Sequence, residues 1–197
     1  MSKLIAVMSM SLDGFVATPD DDVSEVFDWY FSGDTKVQAG GADAMTFSMD
    51  ERSAWHVRTL FDELGAVLTG RRTFDKAGGW GGNHGWGPAF VLTHSIPEGW
   101  PRPNSTVNFV TDGLESAVRQ AKAAAGDKAV GVHGADTIQQ LLNAGLLDEL
   151  SIDVAAVLLG DGIRLLDRLD GTPSKLGDPT VIQGVGVTHL RYPVLPR

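Results

Sequence analysis

The chain has 197 residues, a formal net charge of −9 at neutral pH, and no cysteine. This length predicts a single domain over residues 1–197 with a sizeable core. Without cysteine there are no disulfides, thiolate metal sites or cysteine nucleophiles, and a cytoplasmic location is favoured. The acidic charge argues against nucleic acid as a partner, since nucleic-acid affinity rests on phosphate neutralisation. No apolar run reaches the roughly 18 residues of a membrane span, and the N-terminus lacks a signal-peptide cleavage site, so no membrane partner is expected.

Apolar periodicity and turn residues divide the chain into alternating strands and helices. In the first third of the chain we predict a buried strand at 3–10, a turn-rich loop at 11–25, a short helix at 24–31, an irregular glycine-rich segment at 33–47 and an amphipathic helix at 48–64. The middle of the chain is predicted to contain a strand at 65–70, a helix at 71–77, a glycine-rich loop at 78–87 and strands at 89–94 and 107–113. A helix ending at Gly126, a strand at 128–134, a helix closed by Gly145 and a β-rich tail follow. Strands alternating with helices, followed by a closing run of strands, predict the α/β class. We expect a mostly parallel central sheet with helices on both faces and antiparallel strands at the C-terminal edge.

Helix starts are predicted from capping-box spacing. Ser48 with Glu51, and Asp112 with Glu115, have the spacing in which a side chain caps the first turn. In the helix after residue 134, Asp136 or Thr137 is the candidate cap.

Two strand exits carry residues suited to an anion, and ligands of open α/β sheets lie at the carboxyl ends of the strands. In "TGRRT", Gly70 permits a sharp turn, Arg71 and Arg72 supply cations, and Thr73 supplies a hydroxyl at a helix start. The alternative is that both arginines are surface residues paired with Asp62, Glu63 or Asp75. In "LTHS", Thr93 and His94 are either ligand donors or simply a polar strand end.

A third strand exit, "VHGAD", is a strand–turn–helix without the G-x-G-x-x-G fingerprint. Gly134 permits close approach of the backbone to a phosphate. Simple helix capping explains the same residues equally well. If the three exits line one groove, that groove is about as long as a dinucleotide.

Two carboxylates are candidates for proton transfer. Asp13 follows a buried strand, although an Asp-Gly turn explains it more simply. Asp28 precedes Trp29 on a short apolar helix; it is either a buried carboxylate with a raised pKa or a solvent-facing residue beside a core tryptophan. The five histidines show no metal-ligand spacing, so no metal is expected, and there is no G-x-S-x-G elbow.

Seven motifs in order along the chain are similar to those of the dihydrofolate reductase-like superfamily. Within it, the chain most resembles stand-alone reductases related to the C-terminal domain of the bifunctional riboflavin-biosynthesis deaminase-reductase. The matching stretches are "MSMSLDGFVA", "FDWYF", "GAVLTGRRTFD", "GGWGG", "FVLTH", "HGADTIQQLLNAGLLDEL" and "VLLGDGIRLL".

The resemblance implies NADPH bound across a mainly parallel sheet and reduction of a small heterocyclic substrate, pterin- or pyrimidine-like. It implies that Gly70, Arg71, Arg72 and Thr73 hold cofactor phosphates, and that Thr93 and His94 lie near the adenosine. It places Gly134, Ala135, Asp136 and Thr137 at the pyrophosphate, Val7 and Ala17 at the nicotinamide, and Asp13 and Asp28 toward the substrate. Relatives of this type are often dimers, which predicts a homodimer through the exposed edge of the C-terminal strands.

Two departures from the family pattern affect these expectations. The zinc deaminase signature is missing, so the chain is not the bifunctional enzyme. His133 replaces the first glycine of a Gly-Gly pair whose peptide bond is cis in dihydrofolate reductases, and a cis His133–Gly134 bond would cost about 3–4 kcal/mol. The ring either donates a hydrogen bond to the phosphate or blocks the site. A non-catalytic nucleotide-binding or scaffold protein on the same fold is therefore the alternative to a reductase.

The loop at 78–87, with Trp80 and Trp86, is either a mobile wall of the substrate site or a surface loop.

Overall fold

The computed structural model describes residues 2–39, 45–170 and 174–196, and these contain twelve strands and five α-helices. The strands are β1 (Leu4–Ser11), β2 (Phe15–Ala17), β3 (Thr35–Gln38), β4 (Thr46–Met49), β5 (Leu64–Gly70), β6 (Ala89–Leu92), β7 (Val107–Val110), β8 (Ala129–His133), β9 (Glu149–Ala155), β10 (Ile163–Arg164), β11 (Thr180–Gln183) and β12 (Val187–Pro193). The helices are α1 (Ser24–Phe27), α2 (Glu51–Glu63), α3 (Arg71–Lys76), α4 (Leu114–Ala125) and α5 (Ala135–Asn143), with 3-10 turns at Asp28–Phe31 and Gly78–Gly82.

Eight strands form the central sheet in the order β11-β12-β9-β1-β8-β5-β6-β7. Neighbours from β9 to β7 run parallel, whereas β12 is antiparallel to both β9 and β11. The predicted fold class, with antiparallel strands at the C-terminal edge, is confirmed. The parallel arrangement brings the carboxyl ends of β1, β8, β5 and β6 to one edge, where the candidate ligand residues lie.

Alternating residues of β1 separate two cores, one on each face of the sheet. Leu4 and Ala6 pack in the larger core with residues of α4 and α5, whereas Ile5 and Val7 pack with residues of α2 and α3. Because successive side chains of a strand point to opposite faces, this alternation shows that helices cover both faces, as predicted. No helix among the described residues is long and apolar enough to cross a lipid bilayer.

Two predicted loops contain strands. The segment 33–47 was expected to be irregular, but its described residues form the antiparallel hairpin of β3 and β4; residues 40–44 lie outside the described part. Val37 and Met49 of this hairpin are buried against Trp29, and this tertiary packing overrides the weak local pattern. The predicted loop at 11–25 contains β2, which pairs with the distant β10.

The predicted helix caps are wrong at three helices. Asp50, not Ser48, caps α2: its side chain accepts hydrogen bonds from the backbone N–H groups of Arg52 and Ser53. Helices α4 and α5 instead follow glycines with φ of +103° and +90° and have no side-chain cap. The chain enters both helices through a conformation that glycine favours, so the neighbouring polar side chains do not reach the capping position. Gly126 and Gly145, with positive φ just beyond α4 and α5, act as the predicted stops.

Candidate functional site

The starts of α3 and α5 meet because β5 and β8 are adjacent parallel strands, with Thr69 opposite His133. The two strand–helix turns touch reciprocally. A Cβ on Gly70 would lie 2.9 Å from Thr137 Oγ1, and a Cβ on Gly134 would lie 2.6 Å from Thr73 Oγ1. Two exits predicted from sequence therefore lie side by side, and the strip where they meet is here called the paired-turn cleft. A residue larger than glycine at position 70 or 134 would push the two turns apart.

This cleft has the chemistry of an anion site. Neither α3 nor α5 has a side chain hydrogen-bonded to its first N–H groups. Uncapped N–H groups and the positive end of the helix dipole both favour a negatively charged ligand. Thr73 and Thr137 add hydroxyl groups at the points of closest approach. Ala135, the first residue of α5, is buried in the core and fixes the position of that helix start.

The two arginines at the start of α3 are each held by a carboxylate. Arg71 Nε donates to both oxygens of Asp75, at 2.8 and 2.9 Å, as the surface alternative anticipated. Arg72 is paired with Asp21 at 2.7 Å, and hydrogen bonding to Arg72 contributes most to lowering the pKa of Asp21. Lys76 lies 3.2 Å from the same carboxylate. Two cations of α3, Arg72 and Lys76, thus join this helix to the loop after β2 through Asp21.

The exit of β6 contacts the exit of β5. Arg71 Nη1 donates to the carbonyl of Ser95 at 3.2 Å, and the Thr93 hydroxyl donates to the same carbonyl at 2.9 Å. The His94 side chain is exposed. Asp136 is also exposed, and its carboxylate is paired with Arg168 at 2.7 Å. The structure therefore connects the exits of β5, β6 and β8, while the Asp136 carboxylate is engaged by the segment that follows β10.

His133 points across the sheet to β1. Its Nδ1 lies 3.0 Å from the carbonyl oxygen of Val7, and its ring centroid is 4.5 Å from that of Trp86. Burial lowers the pKa of His133 to about 4, so the ring is neutral at neutral pH. Because a carbonyl oxygen only accepts, Nδ1 carries the single proton and Nε2 carries a lone pair. In this state His133 offers no second N–H to a phosphate. The His133–Gly134 bond is trans; among described residues the cis bond is Trp100–Pro101.

The glycine-rich loop at 78–87 packs against the sheet beside His133. Trp86 is buried and contacts Phe61 of α2, with ring centroids 5.3 Å apart. A Cβ on Gly131 would lie 2.8 Å from the Trp86 ring, so this glycine makes room for the tryptophan. His84 packs between Trp80 and Trp86, and burial lowers its pKa to about 3. The loop therefore forms a wall on the face that carries Val7; its mobility stays a prediction.

The two candidate carboxylates have different surroundings. Asp13 accepts hydrogen bonds from Ser11 Oγ at 2.5 Å, Leu159 N at 3.2 Å and Gly160 N at 2.7 Å. These bonds, that from Ser11 foremost, lower the pKa of Asp13 and join the turn after β1 to the loop after β9. Asp28 is exposed beside the buried Trp29, and Ala17 is buried in β2.

The sequence interpretation missed a buried polar cluster on α2, β9 and β12. Asp153 Oδ1 lies 2.6 Å from His189 Nδ1 and 3.5 Å from His56 Nε2. Ser53 lies 3.0 Å from His189 Nε2. A charged residue within the apolar strand "ELSIDVA" was the one sequence signal for it. Nearby, Trp29 Nε1 donates to Ser9 Oγ at 3.1 Å, and burial together with the Asp153 charge raises the pKa of Tyr30.

The architecture resembles solved structures that share its fold. A protein of Shewanella sp. PV-4 described as a riboflavin biosynthesis protein aligns with a TM-score of 0.69, 20% identity and 99% coverage of both chains. The diaminohydroxyphosphoribosylaminopyrimidine deaminase/5-amino-6-(5-phosphoribosylamino)uracil reductase of Thermotoga maritima gives a TM-score of 0.63 and 14% identity over 98% of this chain and 57% of its own. Dihydrofolate reductase from Enterococcus faecalis, complexed with NADP(H), gives a TM-score of 0.57 and 14% identity over 98% of this chain and 96% of its own.

The fold is thus dihydrofolate reductase-like. The chain belongs to the RibD C-terminal domain family, whose model matches residues 2–178. None of the curated proteins compared with it shows significant sequence similarity.

Proposed function

We propose that the chain is an NADPH-dependent reductase of a small pyrimidine- or pterin-like heterocycle. The observation that carries this proposal is the paired-turn cleft, where Gly70 faces Thr137 and Gly134 faces Thr73. Family membership supports a reductase, and two structural relatives are reductases by name, one of them complexed with NADP(H).

The residues of the cleft fit the phosphates of a dinucleotide. The uncapped starts of α3 and α5 would receive the pyrophosphate, with Thr73 and Thr137 as hydroxyl donors. Arg71 and Arg72 would bind the additional phosphate of NADPH, since a guanidinium presents paired N–H groups to phosphate oxygens. Each arginine would exchange a carboxylate partner for this phosphate. Thr93 and His94, linked to Arg71 through Ser95, would border the adenosine.

The face that carries Val7 suits a planar heterocycle. NADPH, when bound, supplies a hydride from its nicotinamide ring. Val7 and Ala17 would position that ring, while Trp86 and Phe61 would exclude water from the reacting atoms. The lone pair of His133 Nε2 would accept an N–H of the kind that pyrimidines and pterins carry.

We propose Asp28 or Asp13 as the source of the proton. Asp13 accepts three hydrogen bonds that favour its ionised form, which makes it the weaker donor. Asp28 is exposed to solvent beside the buried Trp29.

The alternative function, a non-catalytic nucleotide-binding protein, is supported by His133. Its ring is hydrogen-bonded to the Val7 carbonyl, next to the expected nicotinamide position. In a non-catalytic protein the paired-turn cleft would bind a nucleotide, but no substrate would be reduced.

Titration with NADPH, followed by energy transfer from tryptophan to the cofactor, tests the proposal. We expect saturable binding that is weakened about tenfold or more by Arg71→Ala or Arg72→Ala, with smaller losses for NADH. Arg119→Ala on α4 is the matched control. Absence of NADPH binding at millimolar concentration would exclude the reductase. Binding without turnover of any pyrimidine, pterin or folate would favour the scaffold.

We also propose a homodimer through β11. This strand lies at the end of the sheet, and its Val181 side chain is exposed. An unpaired strand edge is a template for pairing with a second copy. Light scattering at micromolar concentration tests this, and a monomer would contradict it.

A further inference from the structure

Three buried ionisable side chains converge under α2, away from the paired-turn cleft. His56 comes from α2, Asp153 from β9 and His189 from β12, and each is less than a tenth exposed. One ligand atom from each residue lies within 4.8 Å of the others. In the sheet, β1 lies between these strands and β8, whose exit together with that of β5 forms the paired-turn cleft, so the cluster is distinct from the proposed phosphate site.

His56 is the unexplained member of the cluster. Its Nε2 is buried and, within the described part of the chain, has no hydrogen-bond partner. It lies 3.5 Å from Asp153 Oδ1, within ion-pair distance, but this contact does not meet the geometry of a hydrogen bond. A buried polar atom without a partner is unfavourable, so its retention calls for a ligand.

The hydrogen-bond pattern around His189 fixes the ring for a ligand at Nδ1. Ser53 Oγ donates its only proton to the Asp50 carboxylate at 2.5 Å. His189 Nε2 must therefore donate to Ser53 Oγ, 3.0 Å away, which turns Nδ1 toward Asp153 at 2.6 Å. Histidines that bind metals are oriented in the same way, by a hydrogen bond from the second ring nitrogen.

We propose that His56 Nε2, His189 Nδ1 and the Asp153 carboxylate bind one divalent transition-metal ion of the Zn²⁺ class. Zinc–ligand bonds of about 2.0–2.2 Å place tetrahedral ligand atoms roughly 3.3 Å apart. The two separations from Asp153 Oδ1, 2.6 and 3.5 Å, lie on either side of that value, and all three ligand atoms lie within 4.8 Å of one another, so side-chain rotations would bring them to one ion. The ion replaces the proton shared by His189 and Asp153, and that proton leaves to solvent.

The site has room for a fourth ligand. A cavity of about 340 Å³ lies beside α2 and β12 and is lined by both His56 and His189. Zinc sites that bind water or a small ligand have three protein ligands and leave the fourth coordination position open.

Co²⁺ binding to the full chain, freed of any affinity tag and treated with a chelator, tests the proposal. We expect one Co²⁺ per chain, a visible absorption band typical of tetrahedral coordination, displacement by Zn²⁺, and a higher Tm with metal. His56→Leu should weaken binding by more than about 100-fold, and Ser53→Ala, which frees the His189 ring, by about 10- to 100-fold.

His56→Leu is the decisive variant because His56 Nε2, the proposed ligand atom, makes no hydrogen bond within the described part of the chain that folding would lose. Without metal, its Tm should equal or exceed that of the wild type; with metal, it should show no increase. His94→Ala, which removes an exposed histidine, should bind Co²⁺ like the wild type. Lack of stoichiometric binding by the wild type, or unchanged binding by His56→Leu, would overturn the proposal. Both readouts are independent of NADPH binding and turnover.

Discussion

The imidazole Nδ1 of His133 lies 3.0 Å from the carbonyl oxygen of Val7, so the side chain that ends β8 is bonded to the backbone of the adjacent β1. This contact places an imidazole where the family pattern has glycine. The contact joins the turn between β8 and α5, where we propose that pyrophosphate binds, to the expected nicotinamide position. The His133 ring therefore affects whether both ends of the cofactor can bind.

Replacing this ring tests its effect on cofactor binding. We expect His133→Ala to strengthen NADPH binding about fivefold to tenfold, because binding no longer has to displace a hydrogen bond of about 1 kcal/mol. Isothermal titration measures the change. His84→Ala is the control, since His84 packs in the same aromatic group but accepts its hydrogen bond from Trp86 N of its own loop. Weaker NADPH binding by His133→Ala would show instead that the imidazole holds the cofactor.

His84 and His133 make stability depend on pH. Burial lowers their pKa values to about 3 and about 4, below the ordinary 6.5. Between these values the unfolded chain binds more protons than the folded chain, so stability falls as pH decreases below 6.5. The loss reaches about 1.4 kcal/mol per pH unit for each histidine.

Urea unfolding between about pH 7 and about pH 5 measures this slope. His84→Gln and His133→Gln should each make it shallower, whereas His94→Gln, at an exposed position, should leave it unchanged. Equal slopes for all four proteins would assign the acid sensitivity to other groups.

The reciprocal Gly–Thr contacts predict a sharp intolerance at residue 134. Gly134 has φ of +90°, and a Cβ there would lie 2.6 Å from Thr73 Oγ1. Gly134→Ala should lower the free energy of unfolding by about 2–4 kcal/mol, because backbone strain and steric overlap add. Gly145, with φ of +65° and open space around it, provides the control: Gly145→Ala should cost only about 1 kcal/mol. Similar losses for the two variants in chemical denaturation would refute close contact between the turns.

Asp50 should stabilise the start of α2 more than Ser48 does. The Asp50 carboxylate accepts hydrogen bonds from two N–H groups of the helix, from Ser53 Oγ and from Val185 N. Asp50→Ala should therefore cost about 2 kcal/mol. Ser48→Ala, which removes two exposed hydrogen bonds, one to the Gly33 carbonyl and one from Lys36 Nζ, should cost less than about 1 kcal/mol. Thermal unfolding of both variants checks the order, and a larger loss for Ser48→Ala would restore the capping box expected from sequence.

The sequence by itself determined the elements whose signals are local. Val57 and Leu60 repeat at helical spacing and are buried on α2, and Gly126 and Gly145 follow helices with the positive φ that glycine adopts readily. Such features depend on sterics and periodicity within a few residues, and the proposed anion site around Gly70 and Gly134 was predicted on the same basis.

Tertiary structure decided what depends on distant partners. The hairpin of β3 and β4 forms because its apolar side chains pack around Trp29, which local composition does not reveal. Asp153 and His189 are 36 residues apart and meet through strand register, and His56 joins them from a helix laid over the sheet. The tautomer of His133 likewise follows from its contact with Val7, 126 residues away. Sequence spacing does not encode these proximities, because they arise only when the sheet order brings separate elements together.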